Sequence, residues 1–265
     1  LEDIGYLPRL AVLMDTVLHR VGLHGFAIIP TVLGMGCNVP AVLATRSLES
    51  YKQRFIASTL ISIAVPCASL QAMIIGLVGQ KGMKYVALVY GVLFLSWVLI
   101  GLILNRFVKG FNPELLLEIP HIRMPPLSII AKKLWMRILG FLKEALPIVL
   151  AAILVVNLLY IAGVFDFIAR VTAPLISGLL GLPRDSIVAL VIGFLRKDVA
   201  MGMLAPLNLT AKQLVISSTV LAMSFPCVAT FVVLIKDLGV AGMLKATGIM
   251  IVTALVVGGL LNAIM

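Results

Sequence analysis

The sequence predicts an all-α fold, a polytopic membrane helical bundle made of two repeated gate units with broken or re-entrant helices, arranged as an inverted repeat. Three observations lead there. Apolar residues make up 62% of the chain and charged residues 12%, with a mean hydropathy of +1.16, too little polar surface to cover a water-soluble globule. The chain echoes itself: Lys52-Gln53, Ser58-Thr59 and Pro66-Cys67 recur as Lys212-Gln213, Ser218-Thr219 and Pro226-Cys227, a spacing of 160. Polar and breaker pairs sharing one register in so apolar a chain mark a duplication. Each copy also interrupts an apolar run, with Gly36-Cys37-Asn38-Val39-Pro40 in the first and Arg196-Lys197-Asp198 in the second.

Upstream the echo slips by one residue. Gly22-Leu23 and Gly34 answer to Gly181-Leu182 and Gly193 at a spacing of 159. At the spacing of 160, Asn38 and Asp198 occupy matching positions. The slipped alignment sets Leu1 against Tyr160, so the first copy is expected to have at least one further span upstream.

Crossing a hydrocarbon core takes about 20 apolar residues. Expected spans run over Phe55–Val78, Tyr85–Leu104, Ala145–Ala162, Val215–Ile235 (kinked at Pro226) and Met243–Met265. Phe26–Met35 and Ile187–Leu195 are about half as long, which suits half-helices that enter and stop. The expected divisions are 1–104 for the first gate repeat, 105–144 for a basic linker, and 145–265 for the second gate repeat. If the broken elements add no crossing, three spans separate the two breaks and the repeat is inverted. If they cross fully, the repeat is parallel.

The net charge of +10 does not point to nucleic acid. The basic residues lie in loops between apolar spans, most densely at Lys109, Arg123, Lys132, Lys133 and Arg137. That distribution follows the positive-inside rule and predicts a cytoplasmic linker, with residues 129–142 as an interfacial helix against lipid. Three cysteines inside apolar segments give no disulfide framework. His19, His24 and His121 are not expected to form a ligand set, because the first two lie five apart and not three or four. The chain contains no Gly-x-x-x-x-Gly-Lys-[Ser/Thr] phosphate loop, so no nucleotide chemistry and no enzymatic activity are expected of it.

The candidate ion pathway comprises Cys37, Asn38, Cys67, Asp198 and Cys227, with Cys37, Asp198 and Cys227 as candidate metal ligands. Backbone that leaves its helix at membrane depth is tolerated where it lines a polar cavity. Gly34, Gly36 and Pro40 frame the first excursion, and Gly193 lies beside the second. Pro66 and Pro226 each free the carbonyl four residues back, Ser62 and Ala222. Thiolate suits softer first-row cations and an amide carbonyl harder ones. An acid at membrane depth, Asp198, is a functional candidate by default.

The strings Glu2-Asp3-Ile4-Gly5-Tyr6, Met14-Asp15, Gly22-Leu23-His24-Gly25 and above all Gly36-Cys37-Asn38-Val39-Pro40-Ala41 with Thr45-Arg46 resemble the transmembrane part of the ferrous iron transport protein B family (FeoB). The resemblance runs over essentially the whole chain. It implies Fe(II) import across a bacterial or archaeal inner membrane, gate regions at Gly34–Arg46 and Gly193–Gly202, and pore roles for Cys37 and Cys227. It also implies an attached N-terminal GTP-binding domain using GTP and Mg, small accessory Feo proteins as partners, and a possible homo-oligomer. Ile4 and Pro8 depart from the family's usual polar or small residues. Asp198 stands where glutamate after lysine is more common, one methylene shorter. Two other readings are a nucleoside-recognition-type transporter of an organic solute and a non-transporting membrane assembly partner. Scarce aromatic and amide side chains in the spans argue against the first. Polar residues repeated at the breaks argue against the second.

Overall fold

A computed structural model describes residues 6–108, 110, 126–140, 197–207 and 209–264, with isolated positions between 142 and 193. Among these residues every regular element is a helix. The first copy supplies α1 (Tyr6–Arg20), α2 (Ile28–Gly36), α3 (Asn38–Ala44), α4 (Tyr51–Ala64), α5 (Ala68–Val78) and α6 (Met83–Phe107). Helix α7 (Leu127–Gly140) follows, and then α8 (Lys197–Leu204), α9 (Ala211–Met223) and α10 (Val228–Ile264) of the second copy. Most of the expected span at Ala145–Ala162 lies outside the described residues.

The apolar lengths make this a multi-pass membrane bundle. Tyr51–Lys81, Met83–Phe107 and Ala211–Ile264 are long and apolar enough to cross a bilayer, the last spanning 54 residues. That length is divided twice, at the Pro226 break and at Gly239, whose φ of 73° is the left-handed region where only glycine is unstrained. Helix α7 places Leu134, Trp135 and Met136 at the surface, each about three-fifths exposed, beside Lys132 and Lys133. That composition belongs at a lipid interface.

The duplication reappears as matched contacts. Ser50 accepts from the Gln53 amide at the start of α4, and Thr210 accepts from the Gln213 amide at the start of α9. A Cβ placed on Gly34 would meet the Ile61 side chain and lie 3.6 Å from Ala41 Cβ; one on Gly193 would meet Leu221 and lie 3.4 Å from Ala200 Cβ. These glycines are spaces for a crossing helix. Neither has a positive φ, so the expectation that Gly34 and Gly36 supply backbone freedom at the first break is corrected. Cys37 alone carries it, in extended backbone at φ −152° and ψ 133°. Pro40 then sits in the first turn of α3, where a missing N–H costs nothing.

The cross-copy packing is reciprocal. Helix α3 packs on α10 while its counterpart α8 packs on α5, and α4 packs on α9. Arg46, at the end of the first gate element, donates to Asp237 on α10 at 2.6 Å, and Tyr51 donates to the Leu238 carbonyl at 3.2 Å.

Candidate ion site at the helix breaks

Among the described residues, three helix breaks each carry a cysteine. Helix α2 ends at Gly36 and α3 starts at Asn38, leaving the exposed Cys37 between them. Helix α4 ends at Ala64, and Cys67 caps α5, its sulfur 3.4 Å from Ser69 Oγ. Helix α9 ends at Met223, and Cys227 immediately precedes α10, its sulfur 3.1 Å from Thr230 Oγ1. The expected spans Phe55–Val78 and Val215–Ile235, the second expected only to kink, are each two helices, because an unpaired carbonyl and a ring clash at proline stop the helix outright. Lys197 is the first residue of α8.

Side-chain hydrogen bonds tie neighbouring breaks together: Gln71 reaches backbone beside both Cys37 and Cys67, and Lys197 reaches the end of α9 just ahead of Cys227. Asn38 is 8% exposed, and its Oδ1 is buried with no hydrogen-bond partner. Such an acceptor costs about 1–3 kcal/mol when left unmade, and its chemistry fits a cation.

Lys197 is buried, and its Nζ donates to the Ala222 carbonyl at 2.7 Å. That carbonyl is one of the two that proline was expected to free. In the first copy a neutral amide, Gln71, holds a different pair of carbonyls. Its Nε2 donates to Pro66 O at 2.7 Å and Met35 O at 3.2 Å, joining the Cys67 break to the Cys37 break. Gln71 was not singled out in the sequence, although it is a lone amide five residues past a proline in an apolar run.

The matching of Asn38 with Asp198 is corrected. Ala41 and Ala200 make the same contact with Gly34 and Gly193, which fixes the spacing there at 159 and sets Lys197 opposite Asn38. Both are buried, whereas Asp198 is half-buried one residue further along. The register returns to 160 after α8, which has 8 residues where α3 has 7. Arg196 lies outside the described residues.

Comparison with known proteins agrees with this architecture. The family model described as Gate: Nucleoside recognition matches residues 1–81 and 142–241. Between those two parts, residues 86–137 match the model of the ferrous iron transport protein B C terminus. The chain belongs to the ferrous iron transport protein B family. The match falls in the family's C-terminal transmembrane region. A Methanocaldococcus jannaschii protein named Fe(2+) transporter FeoB is 30% identical over 90% of this chain and 41% of its own length. A Porphyromonas gingivalis protein named Fe(2+) transport protein A/Fe(2+) transporter FeoB fusion protein is 34% identical over 59% of this chain and 19% of its own. A Helicobacter pylori Fe(2+) transporter FeoB is 29% identical over 55% and 23%. The chain therefore spans less than half the length of these relatives. No solved structure matches it. Family members named as iron transporters disfavour the organic-solute reading, even though the gate family's own description mentions nucleosides.

Proposed function

We propose that this chain is the transmembrane part of a ferrous iron importer of the inner membrane, and that Fe(II) passes the thiols of Cys37, Cys67 and Cys227. The observation that carries the reading is a free cysteine at each of three helix breaks, with Gln71 joining two of them and the partnerless Asn38 Oδ1 beside Cys37. Thiolate and amide oxygen together suit a borderline divalent cation. Asp198, in the first turn of α8, adds a carboxylate at the rim. Reciprocal packing of the copies favours an inverted repeat, with the breaks meeting near the midplane.

Lys197 is assigned as the gate. Its ammonium occupies the thiol region and holds the end of α9 through the Ala222 carbonyl. A divalent cation entering that region meets its repulsion until Lys197 moves. GTP and Mg are assigned to a GTP-binding domain elsewhere in the full-length protein, which controls this gate, since the chain has no phosphate loop of its own. A small Feo protein of the A type is the expected partner, by analogy with the fused P. gingivalis relative.

The test is Fe(II) uptake, kept reduced, into sealed vesicles containing the chain. Cys37→Ser should lower uptake by at least the roughly 10–100-fold that losing even an outer partner of a metal ligand costs, with expression and melting in detergent unchanged. Parallel loss of folded protein and uptake would show that Cys37 serves packing alone.

A further inference from the structure

A second cluster of ligand-type side chains lies at the end of α1, away from the thiols. Helix α1 stops at Arg20, and the chain reverses through Gly22, whose φ is 81°. The reversal returns His24 towards the last turns of α1, beside Asp15 and His19. One ligand atom from each of the three lies within 4.8 Å of the others. Sequence spacing had set His19 and His24 apart, and the reversal brings them together. Helical spacing does not apply across a reversal.

The cluster has an unexplained feature. His24 is 6% exposed, yet neither its Nδ1 nor its Nε2 has a hydrogen-bond partner. Burying a ring with two idle nitrogens is costly unless something engages them. Its Nδ1 lies 3.6 Å from Asp15 Oδ1. Asp15 is itself held in place, since Oδ1 accepts the Gly25 N–H at 2.8 Å. The His19 and His24 rings stand 6.2 Å apart between centroids, and His19 is exposed.

We propose that Asp15, His19 and His24 bind a divalent first-row transition cation. Metal bonds of about 2.0–2.2 Å place neighbouring tetrahedral donors about 3.4 Å apart, close to the existing Asp15–His24 edge. Rotation of His19 between staggered rotamers closes the triangle. Two imidazoles and one carboxylate with open positions form the facial donor set used for Fe(II). Its donors are nitrogen and oxygen, and those at the breaks are mainly sulfur. The intervening α2 has 9 residues, about 13 Å at 1.5 Å per residue, so this site and Cys37 sit at opposite ends of one half-helix.

The proposal stands independently of the thiol reading, and Co(II) separates the two. The purified chain in detergent is titrated with Co(II), comparing wild type with a Cys37→Ser/Cys67→Ser/Cys227→Ser variant. Thiolate-to-metal bands in the near ultraviolet report the breaks, and visible d–d bands persisting without cysteine report the new site. The cysteine-free protein should still bind one equivalent. His19→Gln, at an exposed position, should weaken that binding roughly tenfold or more, and Asp15→Asn should do the same. If the cysteine-free protein binds no Co(II), or if both substitutions leave its affinity unchanged, the proposal is overturned, and Asp15 and His24 are then only a turn-holding pair. Binding here without any thiolate band in wild type would uphold this site and remove the thiol one.

Discussion

The two gate copies share a backbone plan but solve the same problem with different chemistry. In each, a proline terminates a helix beside a thiol. In the first copy a neutral amide, Gln71, bridges two breaks through the Pro66 and Met35 carbonyls. The second uses Lys197, a buried cation, on the Ala222 carbonyl. Duplication conserved the breaks, and the groups that repair them diverged. The neutral repair leaves a passive wall. The charged repair buries a positive charge at the start of α8, so under the proposed pathway the second copy is the one suited to control.

Lys197→Met tests this asymmetry most severely. Unit charges 4 Å apart interact by about 4 kcal/mol at an effective dielectric of 20, so recovering a third of that should speed Fe(II) uptake on the order of tenfold. Stability should change little, because relief from burying an ammonium offsets the orphaned carbonyl. Uptake unchanged or slowed would mean that Lys197 is structural, like Gln71.

The glycine pair tests how alike the copies remain. Gly34→Val and Gly193→Val should each destabilise by about 1–3 kcal/mol through overpacking, read as a loss of melting temperature in detergent. Gly193→Val should cost more, because the Leu190 carbonyl also stands 2.9 Å from its would-be Cβ. Equal costs would show that the Leu190 backbone yields.

Gln71→Leu should cost about 1 kcal/mol for each of its two hydrogen bonds, with uptake falling only in proportion to folded protein. An uptake change out of proportion would move Gln71 from the wall into the gate. Smallest are the helix caps. Ser50→Ala and Thr210→Ala should each cost about 0.5–2 kcal/mol, with Thr210 the larger, since Gln213 also returns a bond to the Thr210 N–H at 3.1 Å. The reverse order, measured by thermal melting, would show that the reciprocal bond adds nothing.

Composition and spacing made much of this legible. Apolar lengths announced the membrane, and Lys-Gln, Ser-Thr and Pro-Cys pairs announced the duplication because few other residues in so apolar a chain carry positional information. Three things were hidden, each for a physical reason. The partner of Asn38 shifted by one because α8 is a residue longer than α3, and an ungapped echo cannot see where a helix gains length. Gly34 looked like a hinge because sequence shows the missing side chain but not the Ile61 side chain packed against it. The Asp15–His19–His24 cluster escaped because periodicity was applied past Arg20. The signal was present in Gly22, whose positive φ folds the chain back.

The contact between Arg46 and Asp237 ties the end of one gate to the other copy. Asp237 is almost wholly enclosed, its side chain 6% exposed, so separating the pair would strand a carboxylate away from water. Whatever moves Arg46 must therefore also move Asp237 or bear that penalty. Thermodynamic linkage makes any coupling through this tie reciprocal: whatever factor cargo bound at one gate imposes on the affinity of the other, cargo at the other imposes in return. A molecule assembled this way has no upstream and downstream gate at equilibrium, and direction must come from whatever energy source acts on it.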